Sequence, residues 1–151
     1  MKNEDIKVNG IYAYNDASGQ TELVEVMKVF DYENKIKVTI CKSSNQEEVD
    51  IVSTKSISPV IITEAILKAL SFEEVTENLY GLPNERFFQL KMDNRTIEII
   101  KDRGAMKYVQ PSSNQSNHFG CKFISLPFLH QLQEMIGRID IKIIREAFYS
   151  K

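Results

Sequence analysis

Apolar positions in the first third of the chain recur with a period of two, the spacing of a strand that buries one face. Strands are predicted over 11–14, 23–30, 36–40 and 49–52, with polar turns at 15–19, 31–35 and 43–46 between them. In the second of these, Val24 and Val26 share a face and Met27 or Val29 changes face through a bulge. Ile36, Val38 and Ile40 alternate cleanly with Lys37 and Thr39. Strands at intervals of about 8–12 residues, roughly four or five of them before residue 58, imply a small barrel or curled antiparallel sheet.

Pro59 marks a change of period, from two to about 3.6. Thr63 is placed to cap a helix whose apolar positions are Ile62, Ile66, Ala69 and Leu70. Ser71-Phe72-Glu73-Glu74 fits either a capping box that opens a further helical turn or the ragged end of the first helix. Gly81-Leu82-Pro83-Asn84 breaks what precedes it. Residues 87–91 and 96–101 form a hairpin about the turn at 92–95, and Asp102-Arg103-Gly104 turns the chain into a strand over 106–109. Residues 111–118 hold no large apolar side chain and are the expected mobile loop, before a strand over 121–124. Ser125 as N-cap and Pro127 in the first turn predict a helix carrying Phe128, Leu129, Leu132, Met135 and Ile136 on one stripe and stopping at Gly137. The tail alternates like a strand at Ile139, Ile141 and Ile143, yet Ile143, Ile144, Ala147 and Phe148 fit a helix from about Asp140, which is the reading favoured.

Composition narrows the classes. The 151 residues are 42% hydrophobic and 26% charged, ordinary values that exclude collagen-like, disulfide-dense and wholly disordered chains. The length suits one domain of usual size or two small ones. Nineteen basic and 21 acidic residues give a net charge of −2, which offers no global attraction to nucleic acid or anionic lipid. The net charge is −3 over residues 1–58, −1 over 59–110 and +2 over 111–151, too even to hide a basic domain. There is no run of signal-peptide type and none of the ~20 apolar residues that cross a bilayer, so a soluble cytoplasmic protein with no membrane partner is expected.

Candidate chemistry is sparse. His118-x-x-Cys121 with His130 beyond supplies three potential metal ligands, but a tetrahedral site needs a fourth. The simpler reading has Cys41 and Cys121 as reduced, partly buried thiols and His130 on the polar side of its helix, facing solvent or a partner. A nucleophilic Cys121 would need a positioned base and an oxyanion hole, and no neighbouring sequence is shaped for them. Glu47-Glu48 and Glu73-Glu74 are adjacent, so on a strand they face opposite ways. The six glycines are scattered and form no phosphate-binding loop. Arg86, Lys91, Arg95, Lys101, Arg103 and Lys107 gather around the second β region with Phe87, Phe88 and Tyr108 between them, a pattern able to stack exposed bases. Glu85, Asp93, Glu98 and Asp102 are mixed among them, however, and the aromatics alternate as core residues do.

The segment Ser56-Ile57-Ser58-Pro59-Val60-Ile61-Ile62-Thr63-Glu64-Ala65-Ile66-Leu67-Lys68-Ala69-Leu70-Ser71-Phe72 resembles a pattern, I-x-P-I-x-L-T-E-E-x-L-x-x-x-G-F, of small proteins from gut-bacterial phages and mobile elements. Ile124-Ser125-Leu126-Pro127-Phe128-Leu129-His130-Gln131-Leu132-Gln133 resembles that group's V-K-Y-V-H-x-L-Q-N-L helix, and Asp5–Tyr12 echoes its D-L-R-I-G-N-Y-V opening. Ser71 stands where the pattern has Gly, and Pro127 interrupts the last motif. No activity is assigned to the group, so the resemblance carries over no catalytic residue. It implies a barrel-like N-terminal part, a linking helix, a small sheet and a closing helix. It also aligns His130 and Gln133 with the H-x-L-Q positions, whose expected role is surface hydrogen bonding.

The expected fold is α+β: a small SH3-like antiparallel β-barrel over 1–58, then over 59–151 a helix, a three- to four-stranded antiparallel sheet and a C-terminal helix. The two halves are able to share one core. The expected function is a non-catalytic interaction or accessory protein of a mobile element, with another protein as partner. The alternative is a nucleic-acid-binding protein that uses the basic, aromatic second sheet. The candidate binding surface is Arg95, Arg103, Lys107, Asn114, His118, His130 and Gln133, from the 111–120 loop, the turns at 93–95 and 102–104 and the amphipathic helix. No catalytic, cofactor or metal-binding residue is expected.

Overall fold

A computed structural model of the chain describes residues 1–76, 85–110 and 122–150. In chain order the first elements are β1 (Ile11–Asn15), β2 (Thr21–Phe30), β3 (Lys35–Cys41), β4 (Glu47–Ser53) and β5 (Ile57–Pro59). They are followed by α1 (Glu64–Ala69), β6 (Glu73–Val75), β7 (Arg86–Met92), β8 (Arg95–Asp102), β9 (Ala105–Gln110), β10 (Lys122–Ser125), α2 (Leu129–Ile136) and α3 (Ile141–Tyr149). The result is an α+β protein with two antiparallel sheets. The chain forms two compact units, Met1–Ile61 with Phe128–Lys151, and Ile62–Pro127. Pro59 therefore ends a strand inside the first unit, and α2 and α3 belong with the first sheet, where the sequence reading attached the closing helix to the second.

The first sheet runs in the order β4-β3-β2-β1-β5. Its turns are built from chemistry visible in the sequence. The Asp16 carboxylate accepts the Ser18 hydroxyl, which leads in holding its pKa down, and the N–H groups of Ser18 and Gln20, both at 2.9 Å, which add to it. Asn34 and Asn45 take left-handed φ values of 53° and 69° in the next two loops, a conformation asparagine tolerates. The bulge expected in β2 is present: its pairing with β3 shifts between Val26 and Lys28, with Met27 as the extra residue. A single 3-10 turn, Thr54–Ser56, leads into β5.

Residues paired across an antiparallel sheet share a face, so the register sorts the side chains. One face packs Tyr12, Val24, Val26, Ile36, Val38, Ile40, Val52 and Ile57 with Ile6 into a buried cluster. Among the described residues the other face is covered at one end only. There Ala13, Leu23 and Cys41 lie buried in one row, and α2 and α3 pack against β1, β2 and β3. Tyr149 fixes this contact: its hydroxyl accepts the Leu23 N–H at 3.0 Å and donates to the Cys41 carbonyl at 2.7 Å. Burial pushes the Cys41 thiol pKa up, as for a packing residue.

In the second unit the sheet is a five-stranded meander, β10-β9-β8-β7-β6, rather than one of three or four strands. The added strand is β6, at residues the sequence pattern gave to a helix; Val75 pairs with Phe87 and Glu74 with Phe88. Thr63 does cap α1, its hydroxyl accepting the Ile66 N–H at 3.2 Å. The helix then closes with the Phe72 N–H on the Leu67 carbonyl and the Ser71 N–H on that of Lys68, while Ser71 adopts φ 72°. That closure buries Phe72 and releases the chain straight into β6, so 71–74 neither prolongs the helix nor opens another. The β8–β9 turn is Arg103-Gly104, with φ 52° and 86°, the mirror-image turn that suits strand twist.

Helix α2 starts four residues after the expected cap. Ser125 ends β10, the Leu126 N–H donates to the Met106 carbonyl at 2.9 Å, and Pro127 keeps the residue before it out of the helical region. The helix begins only past Phe128, whose N–H is met by Gln131 Oε1 at 3.2 Å. Gly137 ends it with φ 89°, and Asp140 caps α3, both as expected. The expected breaker at 81–84 and the polar loop at 111–118 lie outside the described residues, as does Cys121.

Candidate functional site

The candidate residues are divided between the two units. Arg95, Arg103 and Lys107 belong to the second, and His130 and Gln133 to the first. Asn114 and His118 lie outside the described residues.

Arg95 and Arg103 are exposed at the two hairpin turns, and Lys107 pairs with Asp102 at 3.1 Å. The neighbouring cations are engaged as well. Arg86 grips Glu74 with Nε and Nη2, both at 2.7 Å, and reaches Glu64 with Nη1, while Lys101 meets the other Glu64 oxygen at 2.8 Å. The Lys101 ammonium leads in holding the Glu64 carboxyl below its usual range, and Glu74 leads in raising the Arg86 guanidinium. Phe87 and Phe88 are buried, so neither presents a ring face for base stacking. Three of the second sheet's basic residues, Arg86, Lys101 and Lys107, are thus engaged by carboxylates of their own unit.

Gln133, read from the sequence as a surface hydrogen-bonding residue, joins α2 to the start of β1. Its Oε1 accepts the Ile11 N–H at 2.9 Å and its Nε2 donates to the Asn9 carbonyl at 3.1 Å. His130 is half-buried, with its ring stacked on Tyr12 (centroids 5.3 Å apart) and on Phe128 (5.8 Å). Its Nδ1 is buried without a hydrogen-bond partner, and burial lowers the imidazole pKa against the opposing pull of Glu134 and Asp5. The chain before β1 wraps the Tyr12 phenol, whose oxygen accepts the Lys7 N–H at 3.0 Å and donates to the Asp5 carbonyl at 3.2 Å. Gly10 is needed there, since a Cβ would stand 2.7 Å from the Tyr12 ring and 2.9 Å from the Lys7 carbonyl. A groove of about 240 Å³ crosses Asn9, Gly10, His130 and Arg138, and a hollow of about 560 Å³ beside it is lined by Glu4, Asp5, Phe128, His130 and Glu134. Among the described residues the lining includes no Ser, Thr or Cys side chain. Among the described residues, no group of three or more His, Cys, Asp or Glu is arranged to hold a metal ion, and no helix is long and apolar enough to cross a membrane.

A second surface is the uncovered half of the first sheet's outer face. Its rows are Glu25–Thr39–Val49, Lys28–Lys37–Ile51 and Phe30–Lys35–Ser53. Arg138 holds Glu25 through two hydrogen bonds of 3.1 and 3.2 Å. Beyond that pair Val49 is 58% exposed, Ile51 53% and Met27, at the bulge, 45%. Lys28 Nζ lies 5.1 Å over the Phe30 ring. Among the described residues none of Lys28, Lys35 and Lys37 forms an ion pair. The free edge of β4 is guarded: Asp50 Oδ1 accepts the N–H of Ile51 at 2.8 Å, and Glu48 and Asp50 sit on the core-facing side of the strand. The sequence marked Val49 and Ile51 only as strand positions; that their strand is an edge with this face uncovered is a property of the topology.

Comparison with protein-family models, with curated proteins and with solved structures finds no match to this chain.

Proposed function

We propose that this is a non-catalytic interaction protein that binds another protein through the uncovered half of its first sheet. The observation that carries the reading is the grouping on one sheet face of Val49 and Ile51, each more than half exposed, with Lys28, Lys35 and Lys37. Single exposed aliphatic residues are ordinary. Here they occupy successive outward positions of one strand, beside lysine stems that extend the apolar surface. The same face is covered by helices at its other end, so the sheet already supports packing of that kind.

In this reading the first unit is an SH3-like barrel. The order β4-β3-β2-β1-β5, the 3-10 turn between β4 and β5 and the single cluster on the inner face support it. An accessory role for a mobile element rests on the sequence resemblance.

Affinity capture from the native cell tests the proposal, comparing the unaltered chain with a Val49→Glu, Ile51→Glu variant. Both positions are exposed, so the variant is expected to keep its unfolding midpoint and to lose the specific partner. A partner kept by that variant and lost on Arg95→Ala, Lys107→Ala would move the function to the second sheet.

A further inference from the structure

We infer that the uncovered face takes an acidic, amphipathic stretch of polypeptide. The inference rests on the reading of that face as the contact surface and adds the chemistry of what lies on it. Lys28 and Lys37 are directly paired across β2 and β3, with Ile51 next in the row, and Lys35 sits one row further out. Like charges placed directly opposite one another on a sheet repel. Among the described residues no ion pair engages either lysine, and the carboxylates on this face toward the covered end, Glu25 and Glu47, are held by Arg138 and Lys142. A partner's carboxylates laid over the lysines remove that repulsion, and its apolar side chains cover Val49 and Ile51.

The geometry disfavours two other occupants. An added β-strand would have to displace the Asp50 carboxylate from the Ile51 N–H and place its side chains beside Glu48 and Asp50. A nucleic acid would meet aliphatic neighbours in place of open aromatic faces, since the Phe30 ring is already occupied by Lys28.

Fluorescence anisotropy with the full chain tests this. The probes are a short peptide alternating Glu and Leu, the same peptide with Lys in place of Glu, and a single-stranded oligonucleotide. The acidic peptide is expected to bind and the basic one not, with affinity falling about tenfold from low to physiological salt. Lys28→Glu, Lys37→Glu should abolish binding, and Lys28→Gln, Lys37→Gln, which removes charge without reversing it, should weaken it. Unfolding midpoints confirm that both variants fold. The inference is overturned if the acidic peptide fails to bind, if both variants retain it, if the oligonucleotide binds more tightly, or if the face proves to be occupied by a second copy of the chain. A captured partner that survives Lys28→Glu, Lys37→Glu yet is lost on Val49→Glu, Ile51→Glu would overturn the acidic chemistry and leave the contact face standing. A partner indifferent to both variants would remove the two together.

Discussion

Ser71 holds a left-handed backbone conformation, φ 72°, at the point where α1 must stop and β6 begin. A side chain in that region crowds the following carbonyl and costs roughly 1–2 kcal/mol, a penalty glycine does not incur. Ser71→Gly is therefore expected to stabilise the protein by about 1 kcal/mol, read as a higher urea midpoint; an unchanged or lower midpoint would contradict the strain. His130 acts through the same kind of local constraint. Its imidazole, stacked on Tyr12 and on Phe128 with Nδ1 buried and unpartnered, is favoured in its neutral form, so its pKa is lower folded than unfolded. The stability this contributes is fully present above the unfolded value of about 6.5 and is lost as the pH falls below it, because the unfolded chain takes up the proton first. His130→Phe keeps a ring in the stack and cannot protonate. Urea midpoints should then fall less between about pH 7.5 and 5.5 than they do in the unaltered chain; an equal fall would assign the pH dependence to other groups.

Among the elements, helix α3 shows how a single polar contact positions a packed surface. Tyr149 reaches from its last turn to the Leu23 N–H and the Cys41 carbonyl, two groups in a buried row of the first sheet. Tyr149→Phe keeps the ring and strips both groups of this partner, at an expected cost of about 1–3 kcal/mol by chemical denaturation; a loss well under that would mean that the backbone groups find other partners. Strand alternation over β1–β4, the Thr63 and Asp140 caps and the Gly137 stop were legible in the sequence because each depends on neighbours within a few residues. The start of α2 was not, since Ser125 and Leu126 answer to the ladder with β9 before they answer to the helix. Nor was β6, since Glu73-Glu74-Val75 has little strand character of its own and is defined by its pairing with β7. Local chemistry sets caps and turns; partners distant in the chain decide which short segments become strands.

On the scale of the whole molecule, the near-neutral charge conceals an uneven use of cations. Arg86, Lys101 and Lys107 of the second sheet meet carboxylates of their own unit, whereas Lys28, Lys35 and Lys37 of the first share a face with no such partner among the described residues. The sequence drew attention to the first group, where basic residues are dense and aromatics interleave. It passed over the second, because three lysines spread over ten positions become neighbours only once β2 and β3 are paired. The most direct measurement of the proposed contact is an acetylation footprint of the lysines with and without the captured partner. Protection is expected at Lys28 and Lys37, with Lys91 and Lys122 of the second sheet modified equally in both samples. Protection confined to Lys91, Lys107 or Lys122, with Lys28 and Lys37 unchanged, would contradict the account.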